Sequence, residues 1–341
     1  MNIIERNYFR LLRAGAFDSW EDIEPMSAWK WRQVLVLAER TGLTALLLDG
    51  VETCQDQFFM QLTDALRAEW TEKARAQCRQ YDEAAAKVAA LLAAQSRQQW
   101  RPILMEPWTT SCLYPRPSRH RVCPVTIFFP YSTQGAKADE WALAQDATAD
   151  ATHKYVLRYE WQGLDVEHRQ RMMLLNNKLN NSTLQDIIEK ERLEGGTTHA
   201  DIGGQRVETV APTLGMLMAI LGIIKASLSE GLCLWKFVDM GMLLRRQGDR
   251  VDFVKLQDWI EALHFERMAQ FIGSVLTGLL GFTTDEVPFM RASGASADAL
   301  ATEALQEDGE RSAARYIRFC PGESISSVVA SITHSLGNVE E

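Results

Sequence analysis

The chain has 341 residues with 46% hydrophobic content, enough to bury a substantial core and, by length, to form two or three domains. Its formal charge of -9 and pI near 5.3 exclude a generic nucleic-acid or anionic-membrane surface, because attraction to phosphate needs a basic excess. The six cysteines, Cys54, Cys78, Cys112, Cys123, Cys233 and Cys320, include no Cys-x-x-Cys pair and form neither a zinc site nor a disulfide framework; they read as reduced, mostly buried thiols.

From Asn7 to about Gln98 the pattern is helical almost throughout, starting with Tyr8, Leu11 and Leu12. The N-terminus carries no basic, apolar and small-residue succession of an export signal, so a cytoplasmic location is expected. Ser27 to Arg40 reads as a helix with Ser27 as N-cap and Gly42 as terminator. A long helix follows, with Phe59, Leu62, Leu66, Trp70, Ala74, Cys78, Tyr81, Ala85, Val88 and Leu92 recurring every three or four residues. That stripe is expected to pack against the first helices.

At Pro102 the texture changes. Pro102 to Met105, Val125 to Phe129, Tyr155 to Tyr159 and Leu164 to Glu167 are strand candidates, and the alanine-rich stretch Ala136 to Ala151 between the second and third suits a crossover helix. A further helix is expected over Ser182 to Glu191, followed by a hairpin-like turn at Gly203-Gly204 and a strand over Val207 to Val210. Helices then return over Leu214 to Leu228, Leu232 to Arg246, Phe253 to Leu263 and Glu266 to Leu280. A polar stretch, Ala292 to Ala299, separates them from a last helix over Ser324 to Leu336. The apolar run Leu214 to Ile224 is too short to cross a bilayer, which takes about 20 residues. The organisation expected is a helical region over 1–98, an α/β core over 99–210 and a helical domain over 211–341.

The stretch Leu104-Met105-Glu106-Pro107, Tyr114-Pro115-Arg116-Pro117, Arg119 and Cys123-Pro124-Val125-Thr126-Ile127 resembles the uncharacterised nucleotidyltransferase family of Bacteroidetes type. That family shows Leu-Lys-Gly, Tyr-Pro-x-Pro, an arginine and Gly-Asp-Ile-Asp, then a strand with Glu-x-His or Glu-His. Tyr8 to Gly15, Leu47-Leu48-Asp49-Gly50 and Glu230 to Asp239 are similar to it as well. The resemblance implies an α+β fold: a small mixed sheet of nucleotidyltransferase type with flanking helices, embedded between N- and C-terminal helical regions.

Nucleotidyl transfer uses divalent metal held by carboxylates, two of them at alternate positions of one strand so that both point the same way. At the positions matching those two acids this chain carries Pro124 and Thr126, neither of which can anchor a metal. Met105 and Glu106 replace the lysine and glycine of Leu-Lys-Gly, and Cys123 replaces the glycine before the acids. No glycine occurs between Gly50 and Gly135, so a glycine-rich phosphate cradle is missing where the family has one.

Glu167 matches the third acid and is the only catalytic candidate, with no metal set around it. The favoured reading is a strand-end acid paired with a basic neighbour. Beside it His168 is either a ligand-binding residue or a hydrogen-bonded residue of the fold. Arg116, Arg119, His120 and Arg121 form the best local anion-binding cluster, with Tyr114 beside them; a solvated loop is the other reading. Asp239 lies in a helix whose family form has an arginine where this chain has Trp235, which points to helix packing. Asp139, Glu140, Asp146 and Asp150 are expected on a solvated helix face. The sequence thus points to a nucleotidyltransferase-like pseudoenzyme that needs no cofactor and binds a nucleotide, a phosphorylated small molecule or a protein partner. An active transferase with a displaced magnesium site and a scaffold built on the helical arms are the alternatives.

Overall fold

A computed structural model describes residues 1–57, 61–145, 149–175, 177–229, 232–289 and 297–305. The expected helix over Ser324 to Leu336, together with Cys320, Phe59 and Asp146, lies outside these residues. The first helix, α1 (Ile3–Phe17), opens with a capping box in which Asn2 receives the Glu5 backbone N–H and Glu5 receives that of Asn2. Helix α2 (Ala28–Thr41) begins and ends where its sequence signals fall. Ser27 makes no side-chain cap bond, whereas Gly42 closes the helix at φ 70°, the left-handed region in which a Cβ is unfavourable.

Helix α3 (Thr44–Thr53) then packs along α1 at a separation that two glycines permit. A Cβ on Gly15 would stand 1.9 Å from the Leu46 carbonyl oxygen, and one on Gly50 would stand 1.9 Å from that of Leu11. The Gly15 and Gly50 positions of the family-like segments are therefore points of backbone contact between the two helices.

Helix α4 (Asp64–Arg97) runs 34 residues, roughly 50 Å at the usual rise, and serves two cores. Its first half, Leu66, Trp70 and Ala74, joins α1 to α3. Its second half, Tyr81 to Leu92, covers one face of the sheet instead. The single stripe in the sequence thus divides at about Cys78, because a rod of this length outruns the bundle it starts in.

The sheet contains β1 (Ile103–Leu104), β2 (Val125–Phe128), β3 (Asp150–His153), β4 (Val156–Trp161), β5 (Leu164–Arg169), β6 (Thr197–Ile202) and β7 (Gln205–Val210), in the order β3-β4-β5-β2-β1-β7-β6. It is mixed: β2 runs parallel to β5 and β1 parallel to β7, and the remaining pairs are antiparallel. A short helix, α5 (Trp108–Ser111), follows β1. Helix α6 (Ser132–Gln145) lies between β2 and β3, and α7 (Lys178–Glu194) between β5 and β6. The crossover helix stops short of Ala151 because Asp150 to His153 extends as β3. Helix α7 starts earlier than Ser182, at Lys178, capped by Asn177, whose side chain accepts the N–H groups of Leu179 and Asn180.

One sheet face (Leu104, Val125, Ile127, Val166) packs on α4 and α6. The other face turns to the C-terminal helices α8 (Pro212–Ser229), α9 (Leu234–Gln247), α10 (Phe253–Ala262), α11 (Glu266–Leu279) and α12 (Ala297–Leu305). The last of these lies partly where the sequence suggests only a polar interruption. N- and C-terminal helices share one hydrophobic core. Phe17 meets Phe282 edge to face, and Arg13 both pairs with Glu21 at 2.7 Å and donates to the Leu279 carbonyl at 3.0 Å. Cys54, Cys78, Cys112, Cys123 and Cys233 are all free thiols. Among the described residues no helix is long and apolar enough to cross a membrane.

The α1–α3 contact predicts that Gly15→Ala or Gly50→Ala costs about 2 kcal/mol or more in denaturant unfolding, since the obstructing atoms are backbone. Gly222→Ala, whose Cβ meets nothing within 4 Å, should instead gain about 0.5–1 kcal/mol from helix propensity.

Candidate functional site

Alternation along paired strands determines what faces what. In the parallel register Thr126 stands beside Glu167, Val125 beside Val166 and Ile127 beside His168. Pro124, Thr126, Glu167 and Arg169 therefore share one face of the sheet, and all four line a cavity of about 390 Å³. Val166 and His168 point to the opposite face, into the core beneath α4 and α6.

The cavity has four further sides. The end of β1 gives Met105 and Glu106, the latter joined to Pro107 by a cis peptide bond. The segment entering β2 gives Arg121, Val122 and Cys123. Helices α8 and α9 give Met218, Gly222, Lys225, Trp235, Lys236 and Asp239, and Met172 and Met173 close the side after β5. One part of the lining is thus cationic, through Arg121, Arg169, Lys225 and Lys236. Another is soft and apolar, through Met105, Met172, Met173 and Met218. Trp235 stands between them, with the Arg121 guanidinium 5.3 Å and the Lys236 ammonium 4.5 Å from its ring centroid.

Each carboxyl at this cavity has a distinct state. Glu167 is clamped: Arg158 Nε donates to its Oε1 at 2.9 Å, while Arg169 donates to Oε2 from Nε at 2.9 Å and from the terminal nitrogen at 2.6 Å. Burial works against its charge, but Arg169 and Arg158 outweigh burial and hold its carboxyl below the usual range. Asp239 accepts the Tyr114 hydroxyl at 2.6 Å, and both its oxygens lie 3.1 Å from His120 Nε2. Burial lowers the His120 pKa, yet the Asp239 carboxylate prevails and raises it. Glu106 makes no hydrogen bond among the described residues. Burial pushes its carboxyl up to about 8 against the pull of Lys236, and the Asp239 charge adds to the rise. At neutral pH it is mostly the uncharged acid.

These states bear on whether a divalent cation fits. Glu167 is spent on two arginines, Asp239 on a tyrosine and a histidine, and Glu106 retains its proton. Among the described residues no group of three His, Cys, Asp or Glu side chains is placed to hold a metal ion. The donor set does not suit magnesium. Nor is Cys123 a nucleophile in waiting, since burial pushes its thiol up to about 12.

The sequence-derived arginine cluster divides. Arg121 reaches the cavity, whereas Arg116 and Arg119 turn to Asp49 of α3, at 2.5 Å and 2.8 Å. Tyr114 is buried on Asp239 and does not line the cavity. His168 is also buried, its Nε2 within 2.9 Å of both Gln95 and the Tyr159 hydroxyl and its Nδ1 3.2 Å from Asp139. Burial lowers its pKa. Asp139, expected on a solvated face, instead anchors His168 and accepts from Gln170 at 2.9 Å. The residues that sequence reasoning missed are Glu106 as a retained acid, Arg169, Lys225 and Lys236. Arg169 follows the Glu-His pair directly, Lys225 ends the apolar run of α8, and Lys236 falls inside the family-like Glu230 to Asp239 segment. Each stood beside a recognised signal.

The mixed sheet with its flanking helices is consistent with a nucleotidyltransferase-like α+β protein. A family model described as an uncharacterised nucleotidyltransferase matches residues 27–281, and the chain belongs to that family. Comparison with curated proteins and with solved structures returns no match.

The Glu167 clamp has a pH signature. Its folded pKa is depressed, so its contribution is complete above the ordinary glutamate value near 4.5 and is lost as pH falls through the lower folded value. Glu167→Gln should lower stability at pH 7 by on the order of 1–3 kcal/mol. Urea titrations at descending pH should show that deficit shrinking below pH 4.5.

Proposed function

We propose that this protein is a catalytically degenerate member of its family that binds a nucleotide or another phosphorylated small molecule in the cavity, without metal and without turnover. The observation that carries the reading is charge replacement at one place. Where the resemblance puts two metal-holding acids the chain has Pro124 and Thr126, the remaining acid is neutralised by Arg158 and Arg169, and Arg121, Lys225 and Lys236 face the same space. In the active relatives implied by the resemblance, a metal ion neutralises phosphate; here fixed guanidinium and ammonium groups do so directly.

The rest of the lining supports the same class of ligand. The methionine wall and Trp235 accept a flat apolar body of variable shape, such as a nucleobase, while the phosphates lie toward Arg121 and Lys236. Glu106 adds no negative charge at neutral pH, so it does not repel the anion and can donate a hydrogen bond to it.

Calorimetric titration with nucleoside triphosphates, in chelator and in magnesium, tests this reading. Binding is expected in chelator, weakened at least tenfold by the double substitution Arg121→Ala/Lys236→Ala, with no pyrophosphate released in either condition. An affinity that requires magnesium and vanishes in Glu167→Ala would establish the active alternative instead. Affinity for the anion should also fall as pH rises through about 8, where Glu106 ionises and places a negative charge in the cavity. Glu106→Gln should remove that fall.

A further inference from the structure

A second cavity, of about 470 Å³, lies on the other side of Glu106, between α5, the β6–β7 hairpin and the helices α8 and α9. Its chemistry differs from that of the first. No lysine or arginine lines it, and beside Glu106, His199 and Asp201 the polar groups are hydroxyls and an amide: Thr109 and Thr110 from α5, Thr198 from β6, Thr209 from β7 and Gln247 at the end of α9. Thr198 and Thr209 stand opposite each other across the hairpin.

None of these five side chains makes a hydrogen bond among the described residues. Two of them are deeply buried, Thr110 with 2% and Thr209 with 6% of its surface exposed. With no partner inside the protein and none of their polar atoms sealed from the cavity, these groups are donors and acceptors open to a common occupant. The floor between them is apolar, through Leu113, Val210 and Leu243.

We propose that this second cavity binds a neutral, polyhydroxylated small molecule of monosaccharide or cyclitol size, held by Thr109, Thr110, Thr198, Thr209 and Gln247. Each threonine hydroxyl both donates and accepts, which matches a ligand whose own hydroxyls do the same. An anion is disfavoured because no lysine or arginine lines the cavity to offset Asp201. An ammonium group finds little, because Asp201 already accepts the Gly204 N–H at 3.0 Å and Glu106 is mostly uncharged at neutral pH. Glu106 borders both cavities, so occupants of the two would meet at its carboxyl.

Saturation-transfer NMR on the full chain, with neutral monosaccharides and cyclitols beside their amino and phosphorylated counterparts, tests the proposal. Neutral compounds should receive saturation, and Thr198→Val/Gln247→Leu should weaken them at least tenfold. Arg121→Ala/Lys236→Ala, which strips the first cavity, should leave them unchanged, so the two sites succeed or fail separately. On wild-type protein, hydrogen exchange should slow over 109–113 and 197–202 when the neutral compound is added, a readout that does not depend on any variant folding. Absence of neutral binding at millimolar concentration overturns the proposal. So does binding only of ammonium-bearing compounds, or protection confined to 121–126 and 235–239.

Discussion

Asp239 is a carboxylate set almost wholly inside the protein, with 4% of its surface exposed, and the site is arranged around it. An ionised group there is tolerable only when its oxygens are taken up, and Tyr114 and His120 do so. Both partners belong to the segment between β1 and β2, whereas Asp239 belongs to α9. The contact therefore fastens two walls of the first cavity to each other: one carrying Glu106, Arg121 and Cys123, the other carrying Trp235 and Lys236. Burial raises the Glu106 pKa and the same carboxylate adds to that rise, while at His120 it prevails over burial, so the group that holds the walls together also bears on the protonation of the space between them.

The acidic balance of the chain and the cationic lining of one cavity are compatible because they act at different ranges. Screening confines a surface charge to about 10 Å in ordinary buffer, so a net charge of -9 spread over the surface does not cancel cations gathered around one enclosed space. A phosphorylated ligand would be drawn by that local field and not by the protein as a whole.

Much of the fold was legible because its signals are local. Gly42 ends α2 where a left-handed residue is needed, β2 is a short β-branched run, β4 and β5 alternate in burial, and α8 to α11 carry helical periodicity. The missed elements fail for identifiable reasons. Strand β3 continues from an alanine- and aspartate-rich stretch that reads as helix, and α12 begins inside the alanine- and serine-rich stretch that reads as an interruption. The site was legible only in part. Tyr114, Arg119 and Glu167 keep the pattern of the family, but sequence spacing carries no information on which partner a side chain will choose. Arg119 chose Asp49, 70 residues away, and Glu167 chose the arginines on its own and the adjacent strand. The cations from α8 and α9 enter from more than 50 residues beyond β5, a distance at which no motif connects them to Thr126.

The division of α4 has a mechanical consequence. One continuous rod belongs to both hydrophobic cores, the N-terminal bundle through Trp70 and the sheet through Val88 and Leu92. Neither core can come apart without unpinning half of that rod, and a helix stripped of its packed face loses most of what holds it. Regions that look separable along the chain are thereby made to melt together, and the sheet that carries the cavity inherits the cohesion of a helical bundle at the far end of α4.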